Sequence, residues 1–188
     1  MGSLLDRDVT GISDRDAAID RLIAKDALRD LAARYARAVD RRDLELLRSV
    51  YHDDATDEHG VVYVGPASGF IDGFMEIMKG FELTAHYICN SSYRIDGDRA
   101  DGELYFIAYH RTLGDDPKHA IVSGRYLDNY ECRSGEWRIA TRKLVWDSML
   151  TLPVDAADTA QLAALGEPGR WGDGDYSYRT LPLMGRAR

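Results

Sequence analysis

The stretch RYLDNYECRSGEWRI, residues 125–139, predicts a β-hairpin and decides the class of the fold. Residues that favour strands fill both of its arms, and a Ser-Gly pair stands between them where a tight turn is needed. Towards the N-terminus, TAHYICNSSYRI (84–95) and RADGELYFIAYHRTL (99–113) repeat this pattern around an Asp-Gly turn. The second half of the chain is therefore predicted to be a meander of four long antiparallel strands.

The first half of the chain has the spacing of helices. Ser13 is the predicted N-cap of a long helix that runs to Asp40, and Asp43 is the predicted cap of a short helix after it. Residues at helical intervals form one apolar stripe of the long helix: Ala24, Leu28, Leu31, Tyr35 and Val39. Three further apolar residues lie off this stripe and predict a bend or a second contact surface: Ile19, Leu22 and Ile23.

The segment between the first two helices and the strand meander is predicted to contain several short elements. HDDATDEHG (52–60) is interpreted as a mobile turn with a short strand, VVYV (61–64) as a strand, and residues 68–79 as a third helix. The first of these holds a group of titratable residues: His52, Asp53, Asp54, Asp57, Glu58 and His59. Metal ligands must converge from a fixed scaffold, so a solvated surface is favoured here and no metal site is expected.

Helices followed by a strand meander indicate an α+β domain, in which a curved antiparallel sheet wraps around the long N-terminal helix. Such a sheet leaves a cone that is open at one end and can hold a small molecule. The domain is predicted to span residues 14–152, after an arm of residues 1–13. Residues 153–188, with one short helix at DAADTAQLAAL, are predicted to form a tail that packs on the domain or on a neighbouring subunit.

The composition fits a soluble globular protein of 188 residues. A net charge of −8 and a pI near 5.1 argue against nucleic acid as a partner, because phosphate binding needs a basic surface. No apolar run reaches the length of a membrane span and no signal peptide is recognised, so a cytoplasmic location is expected. Cys89 and Cys132 lack metal-ligand spacing and are predicted to be buried free thiols.

Three segments resemble the SnoaL-like group of the nuclear transport factor 2-like superfamily. They are YARAVDRRD followed by LRSVYHDDA, then TAHYICN, and the hairpin RYLDNYECRSGEWRI. Together with the order of elements, the resemblance covers residues 18–150 and implies the cone-shaped α+β fold. Within the group, the segments look most like hexachlorocyclohexane dehydrochlorinase and bile acid 7α-dehydratase, with scytalone dehydratase more distant.

The resemblance implies a cofactor-independent lyase in which a histidine–aspartate pair carries out the proton transfer. On the matching positions, His86 would be the base, Asp40 its carboxylate partner and Tyr35 a tyrosine of the pocket. The substrate would be a small hydrophobic molecule of an alicyclic or steroid-like kind, and the reaction a dehydratase-type elimination.

Asp40 and His86 also stand out without the resemblance. Asp40 ends the long helix, where the negative end of the helix dipole disfavours a carboxylate that has no partner. His86 interrupts an otherwise apolar strand, and alternation places it on one face with Ile88 and Asn90. Two simpler interpretations stay open here: a solvated Asp40 paired with a neighbouring arginine, and a structural His86.

Three further residues are predicted to contact the substrate: Tyr51, His110 and Trp146. His110 would share a strand face with Phe106 and Ala108, although its place near a strand end also fits an exposed residue. Arg125, in a central strand, is expected to pair with Glu103 or Asp128.

Two other functions remain open. An isomerase or polyketide cyclase would use the same base, and a non-catalytic binding or assembly module would need no His86. The chain is also expected to be a homo-oligomer, either a trimer or a dimer. The predicted outer sheet face carries apolar residues that a monomer would expose: Tyr87, Tyr93 and Ile95.

Overall fold

The structure, a computed structural model, describes residues 15–184, in which one long helix packs against a six-stranded sheet. The helices are α1 (Arg15–Arg41), α2 (Leu44–Ser49), α3 (Ala67–Met78), α4 (Ala156–Leu165) and α5 (Ser177–Thr180). The strands are β1 (Tyr51–Glu58), β2 (Val64–Pro66), β3 (Phe81–Asp96), β4 (Arg99–Thr112), β5 (Lys118–Arg133) and β6 (Glu136–Pro153). The predicted arm of residues 1–13, with Ser13 as a helix cap, lies outside the described residues.

The sheet has the order β2-β1-β6-β5-β4-β3. Strands β3 to β6 form the predicted antiparallel meander, whereas β1 runs parallel to β6. Since β2 and β3 end the order without pairing to each other, the curved sheet does not close into a barrel. The predicted α+β class, with a curved sheet around a long helix, is confirmed.

Helix α1 buries the C-terminal part of its apolar stripe against the inner face of the sheet. Leu28, Leu31, Tyr35 and Val39 are all buried there. The three apolar residues off the stripe, in the first half of the helix, are instead exposed. Asp43 caps α2 as predicted, because its carboxylate accepts from the N–H of Leu46. Within residues 15–184, no helix is both long and apolar enough to cross a bilayer.

The segment after α2 differs from its prediction. The predicted short strand is present as β1, whose register against β6 shifts between Tyr51 and Thr56. Its pairing with both β6 and β2 replaces the predicted mobile turn at residues 51–58. Asp57 and His59, expected on a solvated surface, are 1% and 8% exposed. The predicted strand at residues 61–64 is a turn with exposed Val61 and Val62, and β2 begins at Val64.

A bulge in β3 overturns part of the predicted outer face. The pairing of β3 with β4 shifts between Ile88 and Ser91, so the side chains change faces at this point. Tyr93 and Ile95 therefore pack against the core, and the Tyr93 hydroxyl donates to the carbonyl of Leu28 in α1. Tyr87, which precedes the bulge, is exposed as expected. Cys89, within the bulge, is exposed and Cys132 is half-buried, so both are free thiols but their predicted burial is wrong.

The C-terminal tail contacts the end of α1. Arg41 forms an ion pair with the buried Asp175, at 3.3 Å from Nε to Oδ1. The guanidinium of Arg42 lies 4.0 Å from the ring centre of Trp171, and the Tyr178 hydroxyl donates to Asp43 at 2.9 Å. These contacts place residues 171–178 beside the helix end that carries Asp40.

Candidate active site

A cavity of about 600 Å³ lies between α1, α3 and the inner face of the sheet. Its walls are mostly apolar and aromatic: Val39, Phe70, Phe74, Phe106, Tyr126 and Leu144. Trp146 and Met149 line it too and are about half exposed or more, so the cavity is open to solvent on the side of β6. Its size and lining suit a small hydrophobic molecule.

Asp40 and His86 meet at the wall of this cavity. The Asp40 Oδ1 atom lies 2.7 Å from His86 Nδ1 and accepts a hydrogen bond from the Thr84 hydroxyl at 3.0 Å. Asp40 Oδ2 accepts from the backbone N–H of His86 at 2.8 Å. Three donors thus hold the carboxylate in one orientation. A carboxylate at Nδ1 fixes the proton there and leaves Nε2 as the basic nitrogen of the ring.

The position of Asp40 has a clear energetic consequence. Asp40 lies in the last turn of α1, where the helix dipole destabilises a negative charge. In exposed cases this cost is about 0.3–1 kcal/mol. Donors on β3 offset that cost, so the carboxylate ties the end of the helix to the strand. The interpretation of Asp40 as a solvated residue paired with an arginine is wrong, since the side chain is 12% exposed and bonded to Thr84 and His86.

His110 lies beside His86 in the same cavity. The two rings meet edge to face with centres 5.5 Å apart, and the ring of Phe81 covers His110 at 4.9 Å. Burial, with the nearby His86 as a second cause, lowers the pKa of His110 to about 4. His110 is therefore neutral near pH 7 and can hydrogen-bond a ligand without adding charge.

Tyr35 lines the cavity from α1 and is almost fully buried. Its ring packs at right angles to Tyr126, and the guanidinium of Arg142 lies 4.0 Å from its ring centre. Burial raises the pKa of Tyr35 to about 12, although the positive charge of Arg142 opposes this. The phenol thus keeps its proton near pH 7 and can donate a hydrogen bond into the cavity.

Trp146 and Tyr51, the other two residues predicted to contact substrate, lie on different sides of the cavity wall. Trp146 lines the mouth of the cavity, next to Asp147. Tyr51 is not part of the cavity lining in the described residues: it lies behind the wall, where its hydroxyl donates to Asp57 at 2.6 Å. The phenol is directed towards a buried carboxylate, and the expected substrate contact of Tyr51 stays a prediction.

Sequence analysis missed a buried ion pair under the cavity. Arg142 on β6 donates from Nε and Nη2 to Asp128 on β5, at 2.8 and 2.6 Å. Its Nη1 atom is buried and has no hydrogen-bond partner among the described residues. Arg125, by contrast, faces outwards and pairs with Glu103 and Asp147, so one of its two expected partners is correct. Alternation from the buried Tyr126 would have placed Asp128 on the inner face.

A second missed feature is a histidine–carboxylate pair at the other end of the sheet. His59 Nδ1 is hydrogen-bonded to Asp57, and the His59 ring stacks on Phe70 with centres 4.6 Å apart. His59 lines the cavity, and its Nε2 atom lies 3.4 Å from the Tyr35 hydroxyl. Among the described residues, no group of three or more His, Cys, Asp or Glu side chains is arranged to hold a metal ion.

Comparisons with known proteins agree with this architecture. A family model described as "SnoaL-like domain" matches residues 20–143. A solved structure provisionally named scytalone dehydratase, from Novosphingobium aromaticivorans DSM 12444, superposes with a TM-score of 0.65 at 20% identity, covering 72% of this chain and 92% of its own. A type 2 hexachlorocyclohexane dehydrochlorinase superposes with a TM-score of 0.64 at 23% identity, covering 74% and 94%.

A third solved structure carries no activity in its name. It is a protein of unknown function with a cystatin-like fold from Nostoc punctiforme PCC 73102, with a TM-score of 0.55, 20% identity, and coverage of 65% of this chain and 90% of its own. At these identities the likenesses establish the fold. No curated protein sequence matches the chain significantly.

Proposed function

The chain belongs to the SnoaL-like domain family, and from this premise we propose that it is a cofactor-independent lyase acting on a small hydrophobic molecule of an alicyclic or steroid-like kind. The proposed reaction is the elimination of water. His86 removes a proton from a carbon next to an activating group, and the neighbouring carbon loses its hydroxyl. Two solved relatives carry names that describe eliminations, a dehydratase and a dehydrochlorinase, which supports this class of reaction.

The observation that carries the proposal is the contact between Asp40 and His86 in the wall of an apolar cavity. Asp40 orients the ring and stabilises the imidazolium that forms when His86 takes the proton. The apolar walls exclude water from the base, and they hold the substrate against it. Tyr35, which lines the same cavity, donates a hydrogen bond to the departing oxygen.

The test uses His86→Ala and Asp40→Asn with a panel of hydroxylated steroids and alicyclic ketones, whose products are weighed by mass spectrometry. Each variant is expected to lose about 10²–10⁴-fold in turnover, the usual contribution of a general base. The wild-type product should be lighter than its substrate by one water. A product of unchanged mass would make the protein an isomerase, and near-wild-type turnover by His86→Ala would exclude the histidine–aspartate pair.

A matched control comes from His52→Gln. His52 is as buried as His59 but lies on β1 outside the cavity lining, with Nε2 at 2.9 Å from the carbonyl of Glu131. This variant tests whether losing a buried histidine lowers turnover by itself. Its turnover should stay close to that of the wild-type protein.

A further inference from the structure

A second imidazole reaches the cavity from the far side of the sheet. His59 directly follows β1, whereas His86 lies on β3, and the strands β6, β5 and β4 separate the two. The curvature of the sheet brings both side chains to one cavity. The cavity that contains the proposed base and the neutral His110 therefore also contains a second imidazole that is bonded to a carboxylate.

His59 is held as firmly as His86. The Asp57 side chain is fully buried, with one oxygen bonded to His59 Nδ1 and the other accepting from the Tyr51 hydroxyl. The backbone N–H of His59 donates to the carbonyl of Tyr63 at 2.7 Å, and Phe70 packs flat on the ring. A carboxylate at Nδ1 also provides the counter-charge for an imidazolium. Nε2 is the remaining nitrogen, and it points to the Tyr35 hydroxyl.

The contact between His59 and Tyr35 gives this arrangement a chemical use. Tyr35 borders the cavity, but burial keeps its pKa near 12, so a phenolate left behind after proton donation is costly. A protonated imidazole 3.4 Å away can replace that proton as it leaves.

We propose that Asp57, His59 and Tyr35 form a proton relay that protonates the leaving oxygen while His86 takes the proton from carbon. The C–H electron pair becomes the C=C bond, and the C–O pair leaves with the oxygen. That oxygen takes the Tyr35 proton, and Tyr35 takes the Nε2 proton of His59. His86 then releases a proton to solvent and His59 regains one, so the net change is loss of water. The relay rests on the proposed function. Within it, Tyr35 is the group that touches the leaving oxygen, and His59 acts through Tyr35.

The experiment compares two probes that differ in how much the leaving oxygen needs a proton. In 1,2-benzisoxazole, removal of the C3 proton breaks the N–O bond and releases a phenolate; a 5-nitro group makes that phenolate far less basic. We expect His59→Gln to lower kcat/KM for the unsubstituted probe at least about tenfold more than for the nitro probe. Asp57→Asn, which keeps the shape of the side chain, should give the same selective loss.

The controls separate the relay from a structural role. Tyr35→Phe should show the same selectivity, and the double variant His59→Gln/Tyr35→Phe should lose no more than either single variant. His52→Gln should change neither rate. Equal losses on both probes in His59→Gln would overturn the relay. The proposed function fails in a different way: His86→Ala would leave both rates unchanged.

Discussion

His110 shows how a single buried residue makes the stability of this protein depend on pH. Its pKa is about 4 in the folded protein, mainly because of burial, and about 6.5 in an unfolded chain. Between these values the unfolded state binds more protons, so the free energy of unfolding rises with pH across this window and levels off above it. The charged and titratable groups that act on His110 are His86, which opposes its protonation, and Asp40, which favours it.

We expect His110→Gln to lose less stability than the wild-type protein when the pH falls from 7 to 5, by about 1–3 kcal/mol in the free energy of unfolding. Urea unfolding at the two pH values measures this difference. All other residues are the same in the two proteins, so the difference between their losses reports on His110. If both proteins lost the same free energy of unfolding, His110 would be protonated as easily in the folded protein as in the unfolded chain.

Some residues of the candidate site could be predicted from the sequence and others could not, for definite reasons. Asp40 could be found because a carboxylate at a helix C-terminus is unfavourable without a partner. His59 and Asp57 could not, because they stand in an acidic segment that looks like solvated surface. What buries them is the pairing of β1 with β6, a contact between residues more than 80 positions apart in the chain. Arg142 could have been found, because it pairs with Asp128 across the predicted hairpin and alternation from the buried Tyr126 places Asp128 on the inner face.

The element that shapes the mouth of the cavity is the bulge between β5 and β6. Ser123 pairs with Ser148 and Gly124 with Trp146, so Asp147 is an extra residue on β6. A Cβ atom on Gly124 would lie 2.2 Å from the carbonyl oxygen of Val145 and 2.9 Å from the Phe106 ring. The backbone approaches so closely here that only glycine fits.

Gly124→Ala is therefore expected to lower the free energy of unfolding by at least about 1–3 kcal/mol, as overpacking does in other cores. Gly73→Ala is a suitable control: it lies inside α3 and an added Cβ would meet nothing within 4 Å. That control should stabilise the protein by up to about 1 kcal/mol, because alanine favours helix over glycine. Thermal unfolding measures both effects. If the melting temperatures of the two variants changed in the same direction, this account would be contradicted.

Among the elements, the four long strands and the three longer helices after residue 14 were predictable, since their patterns repeat over many residues. The bulge of β3 between Ile88 and Ser91 and the bulge of β6 at Asp147 were not. Each depends on one extra residue, which alternation cannot reveal, and the one in β3 reversed the faces assigned to Tyr93 and Ile95.

For the whole molecule, the outer face of the sheet is the feature that bears on assembly. Around Tyr87 it exposes apolar side chains of β4 and β5: Ile107 and Ile121 are 42% and 36% exposed, and Tyr87 is 59% exposed. A homo-oligomer, trimer or dimer, stays a prediction that now rests on this corrected set of residues.

We expect the wild-type protein to sediment as a species larger than the 21.1 kDa chain, and Ile107→Glu to shift it towards monomer because a buried charge at an interface is costly. Asn129→Glu, on the polar part of the same face, is the matched control. A wild-type protein that sediments as a monomer at micromolar concentration would contradict the prediction.

The division of the chain into a domain of residues 14–152 and a tail of residues 153–188 also stays a proposal. Asp175 contacts Arg41 and Tyr178 contacts Asp43, which supports packing of the tail on its own chain at the end of α1. Composition alone predicts a tail here, and composition does not show which surface a tail covers.

The hydrogen bonds of Asp40 have a consequence for solubility as well as for chemistry. Strand β3 is the border of an unclosed sheet, and a free border strand can recruit a strand from another molecule and start aggregation. The Asp40 carboxylate occupies the backbone N–H of His86 and places a negative charge at the middle of that border. Asp40 thus orients the His86 imidazole and also blocks the pairing of another strand with β3 at this position. Self-association of Asp40 variants would be a direct result of uncovering that strand.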